Sequence, residues 1–184
     1  VAKEGGINIM NLKDRDYVIG ARLTSGKQDV IMATREGMSI RFSEENVRDM
    51  GLTASGVRGI TLGPNDRVIS LIALEKKNGK LLTVTNLGYG KRSELSEYRP
   101  INRGGKGIIT YKLSEKVGKL AAVIEVQNQD TVLFITKKGK VKRQRAKGVS
   151  IMGRATQGEA MVNISKTDEI VRAIQKPDDK FNEK

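Results

Sequence analysis

The 184-residue sequence predicts an all-β protein, a propeller-like ring built from four-stranded blades of which about three to three and a half are present. Three observations predict it. Glycines recur at Gly6, Gly56, Gly107 and Gly158, spaced 50 or 51 residues apart. Leu12, Leu62, Leu113 and Ile164 follow each of them by six. The frame Thr-x-x-Gly recurs as Thr34–Gly37, Thr85–Gly88 and Thr136–Gly139, with Arg41, Arg92 and Arg143 in the same register. A fixed period of this length is the signature of a repeat architecture, and four short strands per unit is the grammar of a blade.

Each element follows from local chemistry. In the second repeat the strands are expected at Val57–Leu62, Arg67–Glu75, Lys80–Thr85 and Tyr89–Leu95. In the third they are expected at Ile108–Leu113, Lys119–Gln127, Thr131–Thr136 and Lys140–Ala146. Runs such as Val68-Ile69-Ser70-Leu71-Ile72 and Val132-Leu133-Phe134-Ile135 are short and rich in β-branched residues, which suits strands buried on both faces. The Thr-x-x-Gly frame reads as a hairpin turn whose glycine supplies a positive φ. The expected divisions are 1–56, 57–107 and 108–158 for three blade repeats, 159–175 for a partial fourth and 176–184 for a tail. Three blades do not readily close a ring, so the chain reads as part of a longer one.

Composition removes most chemistry. There is no Cys, His or Trp. Thiol nucleophiles, cysteine-type metal sites and the usual general base are therefore out. No Walker loop or nucleophile elbow is present; Gly20–Lys27 has one residue too many and is followed by Gln28. Asp14 and Asp16 read as a strand-connecting turn. No catalytic site, metal site or cofactor is expected on this chain. Apolar runs fall far short of a membrane span, and Val1 to Gly6 lacks a signal-peptide pattern.

The formal net charge is +13, and two repeats hold the excess. Residues 57–107 carry ten basic and four acidic groups, and residues 108–158 carry eleven and three, whereas 6–56 is balanced. Lys137 to Lys147 holds seven basic residues in eleven with no acid. If the strands of a repeat run outward in order, its fourth strand is the rim and presents a curved positive wall to a polyanion. The plainer reading is that lysines on an exposed edge simply prevent sheet-to-sheet aggregation. The loop Asn102-Arg103-Gly104-Gly105-Lys106-Gly107 has two readings as well: a phosphate cradle, or a connection that crosses between blades. Tyr89 and Tyr98 could stack or pack, and packing is the safer reading. Few aromatics argue against single-strand binding, and the lack of a helix argues against base reading, which leaves duplex phosphates and shape.

At these motifs the sequence resembles a known family. Gly88-Tyr89-Gly90-Lys91-Arg92-Ser93, Arg103-Gly104-Gly105-Lys106-Gly107 and Ile151-Met152-Gly153-Arg154-Ala155-Thr156-Gln157-Gly158 are similar to motifs of the C-terminal domain of the bacterial DNA gyrase A protein. The resemblance implies a β-pinwheel, a propeller-like ring whose blades exchange strands. It also implies a basic rim that wraps duplex DNA in support of ATP-dependent negative supercoiling. The implied partners are double-stranded DNA, the rest of the gyrase A protein and the gyrase B protein, in the bacterial cytoplasm, with no membrane and no small-molecule substrate. The cleavage tyrosine and ATPase would lie elsewhere. The family's box Gln-Arg-Arg-Gly-Gly-Lys-Gly is only partly kept at Ile101–Gly107, which reads as a later blade's copy. The corresponding protein of topoisomerase IV is the alternative within this class, and a protein-binding scaffold propeller the alternative outside it. The residues expected at DNA are Arg41, Arg48, Lys91, Arg92, Arg99, Arg103, Gly104, Gly105, Lys106, Gly107, Lys138, Lys140, Lys142, Arg143, Arg145, Lys147 and Arg154.

Overall fold

The computed structural model describes residues 5–75 and 79–176. Three hairpins set the frame: β1 (Asp29–Thr34) with β2 (Met38–Ser43), β4 (Lys80–Thr85) with β5 (Tyr89–Glu94), and β8 (Thr131–Thr136) with β9 (Val141–Arg145). Each turns on the Thr-x-x-Gly frame, and Gly37, Gly88 and Gly139 take φ values of +85°, +87° and +77°. Each hairpin ends in a 3-10 turn, at Glu44–Asn46, Leu95–Glu97 and Ala146–Gly148.

The remaining strands join hairpins of other repeats. β3 (Val68–Ala73), β7 (Leu120–Val126) and β11 (Ile170–Lys176) pair with the first strand of the hairpin before them. The short strands β6 (Ile108–Ile109) and β10 (Glu159–Ala160) pair with β2 and β5. The sheets therefore run β3-β1-β2-β6, β10-β5-β4-β7 and β11-β8-β9. No sheet is made from one repeat, so the sheets are strand-exchanged blades.

This corrects the outward order expected of a repeat. The fourth strand of the repeat is not the rim of its sheet in the first two blades, because a strand from further along the chain covers it. Val57–Leu62, expected as a strand, is irregular, and Ile108–Leu113 shortens to two residues. Lys176, assigned to the tail, ends β11 opposite Thr131, and residues 177–184 lie outside the described residues.

The middle strand β4 is buried almost throughout, with Leu81, Leu82 and Val84 at 0% exposure. The inner strand β3 is mostly half-buried, and among the described residues no strand pairs in its sheet beyond it. Three apolar clusters lie between the layers. One gathers Ile31, Leu81, Tyr98, Tyr111 and Leu120, a second Leu82, Phe134, Val149 and Ile170, a third Ile40, Phe42 and Ile60. Each draws side chains from more than one repeat, so burial of apolar surface ties the blades together.

A candidate nucleic-acid interface

The structure divides the predicted cations into two sets. Lys91 and Arg92 sit on β5, which β10 and the loop before it cover. Lys91 is 0% exposed, and its ammonium donates to the carbonyls of Gly153 (2.7 Å) and Arg154 and to the Thr156 hydroxyl (3.2 Å). It also lies 5.1 Å from the centre of the Tyr111 ring. Burial pushes its pKa down to about 8, against the pull of Glu97. Arg92 is 5% exposed and donates to the Val149 carbonyl (2.8 Å), the Asn128 Oδ1 (2.6 Å) and the Lys147 carbonyl (3.4 Å). Neither side chain is open to a phosphate, which corrects both assignments.

Three further cations are tied to backbone carbonyls. Arg41 pairs with Asp29 at 2.6 Å and donates to the carbonyls of Tyr98 (3.0 Å) and Leu95 (3.3 Å). Arg103 donates to the carbonyls of Asn46 (2.8 Å) and Arg58 (3.1 Å), and Arg154 to that of Ile109. All three fasten loops through part of their guanidinium donors; Arg103 and Arg154 stay half-buried at the surface, with donors beyond these contacts.

The glycine loop is a connection. Gly104 N–H donates to the Gly59 carbonyl at 2.6 Å, and the carbonyls of Gly104 and Gly105 accept from Thr61 at 2.6 and 2.8 Å. Gly107 has φ +76°, and a Cβ there would fall 2.2 Å from the Ser39 carbonyl oxygen. Gly107 lets backbone meet backbone and Gly104 gives its N–H to Gly59, which fits the connection reading at those two, whereas Gly105 is exposed with open space around it. Tyr98 is packed, 1% exposed, with its hydroxyl 2.8 Å from that of Thr110.

The second set faces solvent. Arg48, Arg99, Lys106, Lys138, Lys140, Lys142, Arg143, Arg145 and Lys147 are exposed. Arg48 and Arg99 hold the same register just after the 3-10 turns of successive blades, and Arg145 and Lys147 lie at the third such turn. Lys138 and Lys140 lie at the opposite end of β9, about 17 Å away at ~3.4 Å per residue. From Thr131 through Gly158 there is no acidic residue. Some neighbours do restrain this set: Lys138 donates to the Thr167 hydroxyl at 2.6 Å.

Sequence reasoning missed the inward role of Lys91. The signal was present: its register partner in the first repeat is Ile40, an apolar residue 1% exposed. An apolar residue in one copy marks that position as covered in the others.

Comparison with known proteins places the arrangement. The family described as DNA gyrase C-terminal domain, beta-propeller, matches residues 3–25, 28–75, 79–127 and 130–175. The DNA gyrase A protein of Salmonella typhimurium is 39% identical over 92% of this chain and 19% of its own length. That of Escherichia coli is 40% identical over 88% of this chain and 18% of its own. The chain thus spans about a fifth of the curated relatives it matches. A solved structure of the DNA gyrase A C-terminal domain superposes with a TM-score of 0.86 at 28% identity, covering 94% of this chain and 58% of that one. The C-terminal domain of DNA topoisomerase IV shares the fold, with a TM-score of 0.87 at 22% identity, over 92% of this chain and 53% of its own. Four consecutive matched segments, strand-exchanged blades and motifs in one register agree: this chain belongs to the DNA gyrase C-terminal domain family.

Proposed function

We propose that the chain binds duplex DNA without regard to sequence, bends it along the exposed basic edge, and so contributes to wrapping in a gyrase-type topoisomerase. The observation that carries this is the acid-free stretch from Thr131 to Gly158, whose exposed cations lie at both ends of β9. Six side chains are assigned to phosphates: Arg99, Lys106, Lys138, Lys140, Arg145 and Lys147, with Arg48 at the margin. Lys142 and Arg143 share register with the buried Lys91 and Arg92 and are left out of this set. In the whole assembly the partners are the remainder of the gyrase A protein and the gyrase B protein, in the bacterial cytoplasm, and the ATP-driven chemistry belongs to those parts.

Bending 20–30 base pairs by 40–90° takes on the order of 1–6 kcal/mol, which several charge contacts together can offset. Neutralising about six phosphates gives log affinity a slope near −5 against log salt. The test titrates the chain with a linear duplex of about 40 base pairs across salt, while fluorescence transfer follows the two DNA ends. The expected result is salt-steep binding with the ends drawn together. A slope near zero rejects the reading, and steep binding with unmoved ends confines these blades to one arc of a longer wrap.

A further inference from the structure

Three turn-and-loop segments share one register: residues 43–56, 94–107 and 145–158, each a 3-10 turn with the loop after it. The first holds Glu44, Glu45 and Asp49 against Arg48. The second holds Glu94 and Glu97 against Arg99, Arg103 and Lys106. The third holds Arg145, Lys147 and Arg154 with no acid. Net charge therefore climbs along the chain, from −2 through +1 to +3. The change falls on solvent-facing positions. Glu45 stands where the later repeats have Ser96 and Lys147, and all three are exposed.

The acids of these segments are not alike. In the second segment both are engaged: Glu94 pairs with Lys80 at 3.4 Å, and Glu97 accepts the Arg154 N–H at 2.7 Å. In the first, Glu44 accepts the Gln28 N–H. Glu45 and Asp49 are exposed, and their carboxylates meet no cation or hydrogen-bond donor among the described residues. They flank Arg48, the one basic residue of the segment. Two free carboxylates around one guanidinium leave this stretch negative at every pH above the carboxylate range. A Debye length of about 10 Å at 0.1 M salt confines the repulsion to phosphates that pass this segment.

We infer that the duplex path along this chain is polar: the third repeat holds the duplex, the second carries it, and at the first it lifts away from the protein. Glu45 and Asp49 set that end by repelling the phosphates that would otherwise reach Arg48. This rests on the duplex-binding reading and adds to it the place where contact stops. Binding without regard to sequence has no base contact to fix the position of the duplex, so the sign of the exposed side chains fixes it.

The test uses the whole chain and a linear duplex of about 40 base pairs at low salt, where phosphate contacts are strongest. Because the chain has no cysteine, Asn46→Cys and Gly148→Cys each carry a single iron–EDTA tether. Both positions are exposed and lie at one register of the first and third repeats. Strand scission per bound protein should be at least about tenfold greater from the Gly148→Cys tether than from Asn46→Cys. Glu45→Lys with Asp49→Lys should bring the Asn46→Cys scission up to the Gly148→Cys level. The same pair should steepen the salt slope by about 2. Equal scission from the two tethers without the lysine pair overturns the inference. So does a lysine pair that leaves scission and slope unmoved. In both cases salt-steep binding of the parent keeps the duplex-binding reading intact, whereas a parent without salt-steep binding defeats the two together.

Discussion

The most consequential residue is Lys91, an ammonium with no exposure, held by three oxygens of the loop 153–156 and the face of Tyr111. Its folded pKa of about 8 lies well below the ~10.4 of a free lysine. Between those values the unfolded chain holds a proton that the folded chain has released. Stability therefore rises as pH climbs from 8 toward 10, and the full penalty of the buried charge is present below 8. The limiting slope is about 1.4 kcal/mol per pH unit. Tyr98 and Tyr111, whose phenols are raised by burial, act in the opposite sense: above about pH 10 the folded chain keeps protons that the unfolded chain has released, so stability falls as pH rises. Thermal unfolding of the parent and Lys91→Met from pH 7.5 to 9.5 (roughly spanning the window) should show their difference moving in the parent's favour. Parallel curves would place the charge in a solvated site.

At the scale of an element, the outer strands are held by very few hydrogen bonds and by close approach of glycine. β6 pairs only Ile108 and Ile109 with β2, so its docking depends on Gly107 lying flush against Ser39. Gly107→Ala adds a left-handed-region penalty to a carbonyl clash, and should destabilise by about 3 kcal/mol or more. Gly139→Ala has the same sign of φ and open space around it, and should lose only about 1 kcal/mol. Denaturant midpoints of the two variants, read with unchanged slopes, test the contrast. Equal losses would mean that conformation alone matters and that the close approach relaxes freely. The same element logic explains why β5 and β9, alike in sequence at Lys-Arg, differ in exposure: β10 covers β5, and among the described residues no strand covers β9.

Across the whole molecule the charge is one-sided. The first repeat is balanced, and Glu44, Glu45, Glu94 and Glu97 sit at the first two 3-10 turns, whereas the third carries Lys147 and no acid. Replacing Arg99, Lys140, Arg145 and Lys147 together by Gln should flatten the salt slope of duplex binding by about 3 to 4. The fold should be unaffected, because these four exposed side chains fasten no other part of the described chain. Loss of affinity at an unchanged slope would reject them as phosphate contacts. Lys91 and Arg92 belong to the opposite class, and their replacement should change stability without altering the slope.

The period, the hairpin turns, the middle strands and the family are all legible in the residues alone. These rest on local chemistry: Lys80–Thr85 and Thr131–Thr136 are read off their own β-branched runs, and Gly37, Gly88 and Gly139 off the turn that demands a positive φ. Which strand covers which is settled only in three dimensions. Strand exchange pairs residues far apart in the chain, such as Gly90 with Glu159, and nothing local to β5 announces it. That pairing buries Lys91 and Arg92, while Arg145 and Lys147 stay in solvent. A lysine's charge is written in the sequence, but whether it meets a phosphate or a carbonyl depends on the neighbour that folding brings across it.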